Sequence, residues 1–375
     1  MSLPPEKPVN QWKTLDKDLK RISSLEQATM FVSRPLIAPG LALLFIVLAG
    51  VAASMLMGSH STSFIIIAAA AIGAYMALNI GANDVANNMG PAVGANALTL
   101  GGALVIAAVF ETAGALIAGG DVVKTVAKGI IDPAQMASDM QFVWAMMAAL
   151  LAAALWLNLA TWLGAPVSTT HSIVGGVVGA GIVASGFGVV DWAGLGQIAA
   201  SWVISPLMGG IIAAAFLALI KAKIIYVDDK IGAARKWVPI LIGIMAGTFA
   251  AYLALKGLKQ LVKISLLQAI AIGVVFGLVS WIGARPMIRK QSEGLENRKK
   301  SLKKLFSVPL VVSAALLSFA HGANDVANAV GPLAAIVHTV EAGDIADKVT
   351  IPLWVMLTGA LGISVGLLLF GPKLI

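Results

Sequence analysis

Gly81-Ala82-Asn83-Asp84-Val85-Ala86-Asn87-Asn88 sits in a long apolar run, and its first seven residues recur unchanged as Gly322-Ala323-Asn324-Asp325-Val326-Ala327-Asn328. The match resumes at Gly90-Pro91 and Gly331-Pro332. Such an identity within one chain reads as an internal duplication. In both copies an Asp flanked by Asn stands where the surroundings are apolar. An Asp at the centre of a membrane helix costs roughly 2.5–3.5 kcal/mol on insertion scales, so an acidic residue held at that depth marks a functional site.

The spacing within each copy supports this. Asn83 and Asn87, Asp84 and Asn88, and Asn324 and Asn328 are each four apart, so a helix would gather their side-chain oxygens on one face. Gly81 and Gly90-Pro91 weaken a helix on either side, and the expectation is a broken helix whose freed carbonyls and amides lie beside those side chains. The plainer reading is polar contacts between packed helices, with Gly for close approach. A packing motif, however, need not be copied letter for letter.

The whole chain agrees with a membrane setting. Of its 375 residues, 59% are hydrophobic and only 12% charged, about half the charged share of a soluble domain. There is no cysteine, which excludes disulfides, thiolate metal sites and a cysteine nucleophile. The net charge of +8 falls mostly in loops between apolar runs, so no nucleic-acid partner is expected. The first 34 residues are polar and charged and show no cleavable signal peptide.

Apolar runs are read at about 36–57, 63–90, 97–119, 141–163, 167–189, 197–220, 238–255, 265–284, 307–337 and 351–371. The organisation expected is a polar tail at 1–34, an additional first helix at 35–62 and a first transport repeat at 63–220. Linking helices and basic loops would follow at 221–304, with a second repeat at 305–375. In the tail, Trp12, Leu15, Leu19, Ile22 and Leu25 recur at helical steps between basic residues, which suits a helix on the membrane surface; a solvated tail fits nearly as well. Together the tail and the loops at 221–236 and 285–304 hold 19 of the 26 Lys and Arg residues. The positive-inside rule then puts these segments and the N-terminus in the cytoplasm; the membrane expected is the plasma membrane, the inner membrane of a bacterium. The two motifs would cross the membrane in opposite senses. The fold class expected is therefore an all-α polytopic membrane protein of about ten transmembrane segments, with inverted-topology repeats and broken helices.

The ionisable groups at membrane depth are Asp84, Asp325 and Glu111, with His171 and His321 as further candidates. No Lys or Arg lies mid-run, so the natural compensating partners are Na⁺ or H⁺, with Na⁺ suited to oxygens from Asp, Asn and loosened backbone. A second polar block, Pro166-Val167-Ser168-Thr169-Thr170-His171, joins two apolar runs. Hydroxyls and free amides at a helix start can cradle a tetrahedral oxyanion without a basic side chain; an ordinary helix cap is the alternative. Cation sites beside an anion cradle point to coupled transport. An intramembrane hydrolase using Ser168 and His171 is the remote enzymatic alternative, and neither HExxH nor GxSxG accompanies it.

These blocks, with Phe110-Glu111-Thr112, Gly129-Ile130-Ile131-Asp132 and Ser318-Phe319-Ala320-His321, resemble the inorganic phosphate transporter (PiT) family of cation–phosphate symporters over residues 63–375. The resemblance implies a phosphate carrier driven by Na⁺ or H⁺, without other cofactor. It assigns the cations to Asp84, Asp325 and the neighbouring Asn83, Asn87, Asn324 and Asn328, and phosphate to Ser168, Thr169 and Thr170. Glu111 would be needed for transport, with His171 and His321 as coupling residues. Sulfate or another tetrahedral oxyanion is the alternative substrate, and a homodimer would be in keeping with the family. Within the second repeat, Thr358-Gly359-Ala360-Leu361 matches Thr112-Ala113-Gly114-Ala115 by spacing and puts Met356 near the place of Glu111. Pro166 lies 85 residues after Gly81, and the same distance after Gly322 puts a second Ser/Thr block at position 407, beyond Ile375. The second repeat is thus expected to be incomplete, cut short or completed by a partner chain.

Overall fold

The computed structural model describes residues 36–56, 63–120, 129–257, 264–345 and 349–375. The proposed surface helix of the tail lies outside them. The described residues divide into two compact units, 36–44, which are helical, and those within 45–375.

The helices are α1 (Leu36–Leu56), α2 (Ser63–Gly94), α3 (Leu100–Ala118), α4 (Asp139–Trp162) and α5 (Thr169–Ser185). After them come α6 (Trp192–Ile220), α7 (Lys230–Lys256), α8 (Leu266–Gln291), α9 (Lys299–Ala342) and α10 (Leu353–Phe370). Among the described residues nine helices are long and apolar enough to span a membrane, and α5 is a shorter apolar helix. The protein is an all-helical, multi-pass membrane protein. The basic stretch expected as a loop over 285–304 is mostly helix: α8 runs through Arg289 and Lys290, and α9 begins at Lys299. Long basic side chains reach the interface from a helix that continues past its apolar run.

The expected break is displaced. α2 runs unbroken through Gly81 and contains Pro91, and α9 runs unbroken through Gly322 and Pro332. Pro is tolerated in membrane helices where neighbours re-satisfy the freed backbone. The chain breaks instead between α4 and α5, at 163–168.

Gly73 lies against Leu333, whereas Asp84, further along α2, faces His321, earlier on α9. The two motif copies therefore pass each other antiparallel. Helix pairing is reciprocal between the repeats. A Cβ on Gly322 would run into the backbone of Glu111 on α3, and one on Gly81 into the backbone of Ile363 on α10. Gly114 meets the carbonyl of Phe319, three residues before Gly322, and Gly366 meets that of Leu78, three residues before Gly81. Each repeat's second helix thus packs on the first helix of the other.

This pairing makes Ile363 the counterpart of Glu111, and Ser364 that of Thr112. The register expected from matching Thr358-Gly359-Ala360-Leu361 to Thr112-Ala113-Gly114-Ala115, with Met356 near the place of Glu111, is corrected by seven positions. The α9–α10 connection is longer than the α2–α3 connection, so a constant offset fails past the motif. Thr112 and Ser364 join their hydroxyls at 2.5 Å, where the two repeats meet.

Candidate functional site

The site forms where α2, α3 and α9 converge on the α4–α5 break. α2 supplies Asn83, Asp84 and Asn88, all buried, and α3 supplies Glu111, 1% exposed. α9 supplies His321, Asp325 and Asn328. His321 lies among the three carboxylates: Nε2 is 2.6 Å from Asp325 Oδ2 and 3.4 Å from Asp84 Oδ2, and Nδ1 is 3.3 Å from Glu111 Oε1. No Lys or Arg pairs with these carboxylates among the described residues. One imidazole can offset at most one of three negative charges, and carboxylates at membrane depth call for a mobile cation or protons. Asp84, His321 and Asp325 bring one ligand atom each to within 4.8 Å of one another, close enough to share an ion.

Further contacts orient this cluster. Asn88 donates to Glu111 Oε1 at 2.8 Å, while Glu111 Oε2 is buried without a hydrogen-bond partner. Asn328 donates to Asp325 Oδ1 at 3.1 Å and to Thr170 Oγ1 at 3.3 Å. Thr169, 2% exposed, donates its hydroxyl to Asp84 Oδ2 at 2.5 Å. The start of α5 is thereby held against both acidic motifs. Its Thr169 and Thr170 hydroxyls thus lie against the carboxylate cluster, at a helix start of the kind that can receive an anion.

Other residues singled out by sequence take different places. Asn83 pins the break: Nδ2 donates to Thr161 Oγ1 at 3.0 Å and to the Ala165 carbonyl at 3.1 Å, and Oδ1 accepts from Val167 N at 2.8 Å. With both donors so engaged, it satisfies the interrupted backbone. Asn87 and Asn324 are exposed and stand outside the cluster. Ser168 is exposed and caps α5, accepting from His171 N at 3.3 Å, as the plainer reading of that block has it. His171 is exposed and packs on Trp202, with ring centroids 3.9 Å apart, away from the carboxylates.

Two contacts have no counterpart among the residues singled out by sequence: that of Thr161, and the bond from Asn158 Nδ2 to Asn79 Oδ1 at 3.2 Å, which ties α4 to α2. A signal was present: Asn158 and Thr161 are one turn apart in an otherwise apolar run. Asn88 was visible as the residue four after Asp84.

Comparison with known proteins matches this architecture. Residues 80–375 fit the model of the phosphate transporter family. The chain belongs to that family. Among curated relatives, one named "Putative phosphate permease" from Helicobacter pylori (strain ATCC 700392 / 26695) is 48% identical over 96% of this chain and 68% of its own length. Another of that description from Pyrococcus abyssi is 38% identical over 80% of this chain and 73% of its own. A solved structure described as the sodium-dependent phosphate transporter superposes with a TM-score of 0.78, at 35% identity, covering 83% of this chain and 77% of that one. This family consists of transporters, not enzymes, which answers the hydrolase alternative. The geometry agrees with that answer, since Ser168 caps a helix and His171 rests on an indole.

Proposed function

We propose that this family member is a secondary symporter that carries inorganic phosphate with Na⁺. The observation that carries the reading is the junction of two chemistries: Asp84, Asp325 and Glu111 around His321, joined through Thr169 and Thr170 to the start of α5. In this reading Na⁺ is held by Asp84 and Asp325, aided by Asn328. Phosphate is held by the Thr169 and Thr170 hydroxyls and the first amides of α5, with Ser168 shaping the helix start. Glu111 and His321 couple the two. Bound cations lower the cost of bringing an anion close to carboxylates, so each substrate assists the other. The sodium dependence in the description of the superposed structure supports the choice of ion.

A proton as coupling ion is favoured by one feature, the imidazole shared by three carboxylates. Uptake of labelled phosphate into proteoliposomes, with any chain that completes the second repeat present, separates the two. An inward Na⁺ gradient is expected to drive accumulation at constant pH. Accumulation driven by a pH gradient without Na⁺ would assign the proton instead.

Phosphate is expected to be preferred over sulfate, because near neutral pH phosphate keeps a proton to donate to a carboxylate and sulfate has none. Excess unlabelled phosphate should compete fully, and sulfate at equal concentration should leave most uptake intact. Equal competition would overturn the preference.

Thr169→Val keeps shape and removes the hydroxyl bonded to Asp84. Hydrogen bonds to charged groups contribute about 1.5–3 kcal/mol, so uptake at limiting phosphate is expected to fall roughly 10- to 100-fold. His171→Ala, outside the cluster, should change it less than about two-fold. The reverse order would move the anion site to His171.

A further inference from the structure

The α7–α8 hairpin carries two GxxxG patterns, Gly243/Gly247 and Gly273/Gly277, of the kind that brings membrane helices together. Both are occupied within the chain. A Cβ on Gly243 would lie 2.8 Å from the Gly277 carbonyl, and one on Gly247 would lie 2.6 Å from that of Gly273. The helices run antiparallel, backbone against backbone. Beside this contact lies an apolar furrow of about 660 Å³, walled by Ile240, Ile244 and Thr248 on α7 and by Ile270, Val274 and Trp281 on α8. From residue 240 to residue 251 on α7 it runs about 16 Å along the helix axis, close to the hydrocarbon depth of one leaflet, about 15 Å.

One end of the furrow is basic. The Arg285 guanidinium lies over the Trp281 ring, 4.3 Å from its centroid. Arg289 follows one turn on along the same stripe, and Lys236 precedes Ile240 by one turn on α7; all three are exposed. Arg235 Nε donates to Ser292 Oγ at 2.6 Å, joining the basic end of α7 to the end of α8. The apolar channel is thus about as long as one leaflet is deep and ends in exposed guanidinium and ammonium groups.

We infer that this furrow holds one acyl chain of an anionic phospholipid, with the headgroup phosphate bound by Arg285, Arg289 and Lys236. The walls offer a single hydroxyl, Thr248, so they suit a hydrocarbon chain, and the charge at the mouth selects an anionic head over a zwitterionic one. The arginines are the stronger partners, because a guanidinium meets phosphate oxygens with two parallel bonds.

Trp281 supplies the readout. The purified chain is reconstituted with phosphatidylglycerol or phosphatidylcholine brominated on the acyl chain. Quenching that is lost in Trp281→Phe is taken as the contribution of this indole. Brominated phosphatidylglycerol is expected to quench it at a mole fraction several-fold lower than phosphatidylcholine does. Arg285→Gln/Arg289→Gln, both exposed, should bring the two lipids together, with about five-fold of preference lost per arginine. Thr248→Phe, which fills the furrow and leaves the charges, should reduce quenching by both lipids. Equal quenching of the wild type by both, or a preference unchanged in the double variant, would overturn the proposal. So would an indole that neither lipid reaches in a dimeric protein, which would place a second copy in the furrow. Reversal of the preference by millimolar inorganic phosphate would make the basic end a site for the free anion and would also overturn it.

Discussion

Asp84→Asn and Asp325→Asn are each expected to reduce Na⁺-driven phosphate uptake to background, a loss of at least about 100-fold, while the protein still inserts and elutes as a single species. Asn preserves the size of the side chain and keeps an oxygen for the Thr169 hydroxyl at Asp84 and for the Asn328 amide at Asp325. What it removes is the negative charge facing His321. The loss falls on binding of the cation: truncating one partner of a hydrogen-bonded charge pair costs about 2–5 kcal/mol of affinity, and each 1.4 kcal/mol is a tenfold step in an equilibrium constant. Initial rates in proteoliposomes, set against yield and thermal unfolding in detergent, check this. Near-normal driven uptake in either variant would remove the cation role from that residue.

Gly322→Ala and Gly81→Ala are expected to destabilise the protein and also to abolish uptake in whatever fraction folds. The added methyl at 322 falls within the backbone of Glu111, and that at 81 within the backbone of Ile363, so neither can be absorbed by a rotamer change. The helices must separate, an overpacking cost of about 1–3 kcal/mol or more. At position 322 that separation also carries Glu111 away from His321. Gly90→Ala is the control: it lies in the same helix, and a Cβ there meets nothing within 4 Å. Thermal unfolding should place Gly322→Ala and Gly81→Ala well below the wild type and Gly90→Ala at or above it. Equal midpoints for the three variants would show that the helix contacts at 81 and 322 are looser than described.

The motif glycines show how a residue can be singled out correctly and for another reason. By sequence, Gly81 reads as a point where α2 breaks. In the fold it is where α2 lies backbone to backbone against α10, and the helix passes through unbroken. Glycine's entropic cost is small beside the packing available to a helix buried on several sides, so propensity yields to tertiary contact. The freed backbone expected there appears at 163–168 instead, and Asn83 satisfies it.

Composition and repetition by themselves determined that this chain is a helical membrane protein with duplicated acidic motifs. They also singled out Asp84, Asp325 and Glu111, because a carboxylate in an apolar run costs too much to be incidental. Only the tertiary structure decided which neighbours share the site. Asn83 and Asn87 lie on one face of α2, as Asn324 and Asn328 do on α9. Yet Asn83 and Asn328 are buried in contacts, and Asn87 and Asn324 are exposed. Periodicity specifies where a side chain points around its own helix. What it meets one turn further along depends on the helix packed there, and identical motifs meet different neighbours. The same reason put His321 among three carboxylates and His171 on Trp202: both are histidines beside a polar block, and only the packing of α9 against α2 and α3 separates their roles.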